Sequence, residues 1–250
     1  MSLIYIDSFT PGGIVKDGLV LHLDAAQPSS YPGSGTTWTD LSGNGNNGTL
    51  SQPNGPTFDS ANGGSLSFDG VDDYSSVPPT NGLDLSGAST SLTISCWAKT
   101  TDTGLALQGL VMWEDVDDSD GIEPVRLAIT SSSNNYPAFI LRRYDNTASS
   151  NVSGLTLTSQ NTYYNIVGTY NGSTHAIYVN GTLSNQTSYT GGIKVPADGT
   201  NAKWIIGRGE LTRTDRLLKG NMAQVLIYNR GLSAAEVTQN YNALKSRYGL

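Results

Sequence analysis

Carboxylates, two histidines and one cysteine are the side chains of this sequence that could carry acid–base, nucleophilic or metal chemistry. Glutamate occurs four times, at Glu114, Glu123, Glu210 and Glu236, and histidine twice, at His22 and His175. Retaining glycoside hydrolysis needs two carboxyl groups about 5–5.5 Å apart, and no pair of these glutamates announces such a site. Glu236 follows Ser233 by three residues, as a helix cap would, and Glu114 reads as part of an acidic loop. The histidines sit inside strand-like runs with no Gly-x-Ser-x-Gly elbow to serve them, so a structural role is expected for both. Cys96 lies in the apolar run Leu92–Ala98 and reads as a small buried hydrophobe. A single cysteine also excludes an intrachain disulfide and a cysteine-based zinc site. Neither a phosphate-binding Gly-x-x-x-x-Gly-Lys nor a dinucleotide fingerprint is present. The expectation is a protein that is not an enzyme.

Binding chemistry is better represented. The segment Glu114-Asp115-Val116-Asp117-Asp118-Ser119-Asp120 packs hard oxygen ligands closely, which either hold a divalent cation or repel one another into a solvated loop. An EF-hand template laid from Asp115 fails, because Asp120 stands where glycine is required and Arg126 where the bidentate glutamate belongs. Asp69, Asp72 and Asp73 form a second cluster, although Asp69 before Gly70 also suits a turn. Asp72, Asp73, Asp115 and Asp117 are therefore the candidate Ca²⁺ ligands. Glycan binding calls for aromatic platforms beside amide and carboxylate groups. Trp97 and Trp204 fall in core-like strands, whereas Trp113, beside the acidic segment, and Tyr136, which follows Asn134 and Asn135, are the candidate exposed aromatics. Each could instead anchor a loop.

The elements that must position these residues are mostly strands. Charged residues are 14% of the 250, against about 25% in ordinary globular chains, so solubility rests on Ser, Thr, Asn and Gly. The net charge of −7 argues against a phosphate-tracking nucleic-acid surface. No run of about 18 apolar residues suggests insertion into a membrane. Period-two alternation recurs at Leu19–Asp24, Leu92–Ala98, Ile166–Tyr170 and His175–Val179, with Asn171-Gly172 and Asn180-Gly181 predicting hairpin turns. Further strands are expected at Trp204–Gly207 and Ala223–Tyr228. One helix is expected over Ala234–Ser246, opened by a Ser233/Glu236 capping box and docked through Val237, Tyr241, Leu244 and Tyr248. Pro11-Gly12-Gly13 separates an apolar start from the body, dividing the chain into residues 1–14 and 15–250. Leu3, Ile4, Tyr5, Ile6 and Phe9 would make the first part a strand that either pairs within the domain or serves as an attachment arm on a neighbour. That start lacks a basic n-region and is broken by Asp7, so it does not read as a secretory signal.

Several segments in order carry a family resemblance: Trp38–Gly48, Leu66–Tyr74, Ser91–Trp97, Ile166–Gly181 and Gly220–Ser233. Together they resemble the concanavalin A-like lectin/glucanase superfamily in its laminin-G-like form. The resemblance implies an all-β, two-sheet antiparallel jelly roll of about a dozen strands with a short C-terminal helix. Hydrolytic members carry Glu-x-Asp-x-x-Glu on one strand, which this chain lacks, and some relatives hold Ca²⁺ at the sandwich rim. Asp17–Ala26, the Tyr31–Thr36 loop and the terminal Lys245–Leu250 are similar to modules of tailed-bacteriophage virion proteins. That similarity implies a structural protein at the virion surface, made in the host cytoplasm, with capsid or tail proteins as partners. A symmetric homo-oligomer, a trimer, is the assembly expected of it, with host-surface polysaccharide as a further partner. The alternative is a carbohydrate-binding adhesin of a fibre or bacterial surface protein, and a glucanase-like hydrolase comes third.

Overall fold

The computed structural model describes residues 13–85, 91–102, 105, 107–115, 124–130, 135–142, 149–193, 202–209 and 213–250. In chain order the strands among them are β1 (Leu19–Asp24), β2 (Thr37–Trp38), β3 (Gly48–Leu50), β4 (Thr57–Asp59), β5 (Ser65–Asp69), β6 (Ser75–Val77), β7 (Leu92–Thr100) and β8 (Leu107–Asp115). They continue as β9 (Val125–Thr130), β10 (Tyr136–Arg142), β11 (Ser149–Ser153), β12 (Tyr164–Tyr170), β13 (Thr174–Val179), β14 (Thr182–Ser188), β15 (Ala202–Ile206) and β16 (Lys219–Tyr228). One sheet runs β14-β13-β12-β7-β16-β5-β4, with β1 also paired to β16. The other runs β11-β10-β9-β8-β15-β6-β3-β2, and every pairing in both is antiparallel. The jelly-roll expectation holds, with more strands than the dozen implied.

The alternation of each strand sets its two faces. On β7, Leu92, Ile94, Cys96 and Ala98 enter the main core between the sheets, while Trp97 faces the other way. β1 departs from strict alternation. A register shift between Leu19 and Leu21 leaves Leu21 and Leu23 in the main core but turns Leu19 to the outer cluster with Tyr228 and Val237. A bulge of this kind adds a residue to one strand and exchanges the faces beyond it.

The C-terminal segment covers the outer face of the first sheet. Ser233 and Glu236 form the expected capping box, and α1 spans Ala234–Leu244 before tightening into a 3₁₀ turn at Lys245–Tyr248. Val237 is fully buried, and Tyr241, Leu244 and Tyr248 pack on the Trp97–Tyr163 cluster. Trp97 stacks on Tyr248 at 4.3 Å and on Tyr241 at 5.7 Å between ring centroids. Arg247 closes the arrangement with two hydrogen bonds, 2.8 and 3.1 Å, to the buried carboxylate of Asp24.

The hairpin at Asn180-Gly181 has both φ values positive, +50° and +74°, as a two-residue I′ turn requires. Asn171-Gly172 behaves differently. Only Gly172 is left-handed, and the Asn171 side chain accepts the N–H groups of Ser173 and Thr174, giving a wider loop before β13.

Candidate functional site

Among the described residues, which do not include Glu123 and Glu210, the groups suited to catalysis are dispersed and mostly occupied. Glu114 is not in a loop, because β8 runs to Asp115 and buries Glu114 at 6% exposure. It stands opposite Lys203 of β15, and two residues along β8 Met112 faces Arg126 of β9, so the charges nearest it in register are basic. Glu236 is held by Arg230 through hydrogen bonds of 2.6 and 3.0 Å, and that guanidinium lowers its carboxyl to a pKa of about 2. His175 lies between the sheets against Phe139, its Nδ1 3.0 Å from Ser150 Oγ, and burial lowers its pKa to about 4. His22 is shielded beside Gln224 and Asp24, and burial likewise lowers its pKa. Cys96 is buried in the main core, which pushes its thiol pKa up and makes it a poor nucleophile.

The acidic trio is a turn with its own internal partners. Asp69 Oδ1 accepts the N–H of Val71 at 2.7 Å, as an Asx turn does, and Asp73 Oδ2 accepts the N–H of Asp69 at 2.8 Å. The carboxylates of Asp69, Asp72 and Asp73 can approach within 4.8 Å of one another. Burial, with the charges of Asp69 and Asp72, raises Asp73 to a pKa of about 6. The Lys219 stem lies against Gly70 in the same turn, 2.8 Å from where a Cβ would stand. The structure keeps the candidate ligands Asp72 and Asp73 together with Asp69, apart from the other acidic segment that holds Asp115 and Asp117. Asp115 pairs with Ala202 at one end of β15, whereas Ser75, two residues beyond Asp73, pairs with Ile206 at the other. Four steps of about 3.3 Å separate those ends. Asp117 and the side chain of Asp115 lie outside the described residues.

The expected glycan platform is also taken apart. Trp113 is 1% exposed and packs edge-on against Trp204, with 5.5 Å between centroids, in the main core. The acidic residues after it suggested a loop, but strand alternation continues through Val111 and Trp113 and turns the indole inward. Tyr136 pairs with Thr130, five residues along β9 from the Val125 that faces Trp113, so the two aromatics are not neighbours. Asn135 adopts a left-handed conformation, φ +39°, and Tyr136 is half-buried. Asn134 and the arm residues Leu3, Ile4, Tyr5, Ile6 and Phe9 lie outside the described residues.

What the fold does bring together is a groove of about 270 Å³ lined by Leu155, Thr156, Leu157, Tyr164, Val179, Asn180, Thr182, Leu183 and Ser184. It lies where the segment after β11 crosses from the second sheet to the β13–β14 hairpin of the first. The wall is fastened to both sides: Gly154 N–H donates to Pro137 O, Leu157 N–H to Asn135 O, and Leu155 N–H to Ser184 Oγ, at 2.7–2.8 Å. Asn185 Nδ2 adds a bond of 2.9 Å to Ser153 O. Tyr164 and Val179 pack against the main core and make the floor continuous with it. Leu155 and Leu183 are 73% and 43% exposed, large apolar side chains in open positions. Asn180 Oδ1 accepts the N–H of Asn165, which leaves its amide nitrogen as a donor. Tyr164 Oη accepts the Ser159 N–H and keeps its own hydroxyl proton to give. The sequence signal was Leu155 and Leu157 alternating within an otherwise polar stretch, which period-two reasoning alone would assign to a strand core. The expected Asn135 contributes to this groove only by anchoring Leu157.

The chain belongs to the concanavalin A-like lectin/glucanases superfamily, whose laminin-G-type family model matches residues 68–238. No curated protein matches it in sequence. Among solved structures it is similar to the binding domain of Paraclostridial Mosquitocidal Protein 1, at 18% identity and TM-score 0.67, covering 91% of this chain and 52% of that one. It is similar as well to the receptor binding domain of botulinum neurotoxin D, at 13% identity and TM-score 0.66, covering 90% and 52%. A third is the serotype D ligand binding domain in complex with N-acetylneuraminic acid, at 13% identity and TM-score 0.65, covering 91% and 51%. The chain thus spans about half the length of each, and the likeness establishes the fold.

Proposed function

We propose that this chain is a non-enzymatic, carbohydrate-binding adhesion module. The observation that carries the reading is the groove at Leu155–Ser184, whose walls are hydrogen-bonded in place and whose lining mixes apolar carbons with amide and hydroxyl groups. Sugars present the same mixture, C–H faces beside hydroxyls, and preformed concave sites with a few placed polar groups are where small ligands bind. The lectin-type family and the similarity to toxin receptor-binding domains support this reading over a purely structural cover. The dispersal of Glu114, Glu236 and both histidines supports binding rather than hydrolysis.

Probing an immobilised glycan array with the fluorescently labelled chain tests the proposal. Binding that disappears in Leu155→Ala/Leu183→Ala, with unchanged thermal unfolding, is the expected outcome. A chain that binds no glycan, or that hydrolyses β-glucan in a Glu114-dependent way, overturns it. Carriage of such a module on the surface of a bacteriophage particle, which the subfamily resemblance implies, is a separate proposal, and mass spectrometry of assembled particles tests it.

A further inference from the structure

Resting on the reading of the groove as a glycan site, we propose that it selects one neutral sugar residue and rejects sialic acid and other anionic residues. The described lining residues include no Lys, Arg, His, Asp or Glu, in a chain that carries 14 basic and 21 acidic residues elsewhere. A carboxylate is recognised by charge-assisted bonds, typically from arginine. Among the described lining residues it would meet neutral donors alone, those of Thr156, Tyr164, Asn180, Thr182 and Ser184, and desolvating it against Leu155 and Leu183 without a cation is unfavourable. The net charge of −7 adds a general repulsion of anions. A pyranose bearing only hydroxyl or acetamido groups suffers neither cost. Its apolar face matches the leucines and Val179, and its hydroxyls match the amide and hydroxyl groups of the rim. The volume of about 270 Å³ falls just below the roughly 300–1,000 Å³ of sites for drug-sized ligands, so it accommodates a single terminal ring rather than a run of residues.

The test uses oligosaccharide pairs with a shared core, one member ending in galactose or N-acetylglucosamine and the other in N-acetylneuraminic acid, against the full chain. Wild type is expected to bind the neutral member at least tenfold more tightly, about the ratio that one well-placed polar contact supplies. Leu183→Asp, at an exposed strand position, is expected to abolish that binding while unfolding at the wild-type temperature. Thr182→Lys, also exposed, places a cation at the rim and is expected to bring the sialylated member to within about threefold of the neutral one. A wild-type preference for the sialylated member that is lost in Leu183→Asp would overturn neutral selection and leave the glycan site standing. Neutral binding indifferent to Leu183→Asp would overturn the placement in this groove. Absence of binding to every glycan overturns this inference together with the function on which it rests.

Discussion

The Asp69–Asp73 turn and the Leu155–Ser184 groove are two surface regions of one sandwich whose sequences suggest the reverse of what their structures do. The turn concentrates carboxylates and looks like a ligand site, yet Asp69 Oδ1 and Asp73 Oδ2 are spent on backbone N–H groups of the turn itself. The groove has no charged residue among its described lining and looks like a polar linker, yet hydrogen bonds to both sheets hold it open with two leucines exposed. Local density of chemical groups is a poor guide when those groups can satisfy one another within five residues. Open, fixed concavity here comes from segments apart in the chain, residues 155–157, 164 and 179–184.

The sharpest way to break this contrast is at Trp113, which the sequence placed on the ligand side. Trp113→Ala should cost about 3–5 kcal/mol in denaturant unfolding, the usual cost of removing a large core aromatic. A loss below about 1 kcal/mol would return Trp113 to the surface. Next in size is the turn. Because the folded pKa of Asp73 is raised to about 6, above the roughly 3.9 of an unfolded chain, the native state binds more protons between those values. This group therefore makes the protein more stable near pH 4 than at pH 7, the loss developing as pH rises through 6. Asp73→Asn should raise stability at pH 7.5 by on the order of 2 kcal/mol and change it little at pH 4.5. Equal effects at the two pH values would show that the carboxyl is not strained by its surroundings.

The groove variants come third. Leu155→Asp should weaken glycan binding at least tenfold, equivalent to about 1.4 kcal/mol, while shifting unfolding by no more than about 0.5 kcal/mol. A large destabilisation would mean that Leu155 is structural despite its exposure. The smallest effect is expected from calcium, since a turn satisfied by its own backbone should leave the melting temperature unchanged in millimolar Ca²⁺ or EDTA. A rise with Ca²⁺ would make the trio a cation site and erase its difference from the groove.

Much of the architecture was legible because period-two alternation and turn residues act locally. Asn180-Gly181 specifies its hairpin through φ alone, and the capping box at Ser233 fixes the start of α1 through hydrogen bonds within one turn of helix. The candidate site was legible only in fragments. Glu114 and Trp113 were misplaced because an acidic stretch lies next to the end of β8, and one shift in where a strand stops changes the fate of each side chain near it. The face that Leu19 takes was not legible either, because a bulge exchanges faces without altering the residue pattern.

By itself, then, the sequence determined a two-sheet β sandwich with a capped C-terminal helix, a buried thiol and strand histidines, since each follows from side-chain periodicity or nearest-neighbour hydrogen bonding. Which loops are self-satisfied and which stand open, which aromatics are core, and the placement of Asp115 and Ser75 at opposite ends of β15 emerge from the folded chain alone. Those outcomes depend on strand register and on contacts between residues far apart in the chain, and neither is encoded in any window short enough to read by pattern.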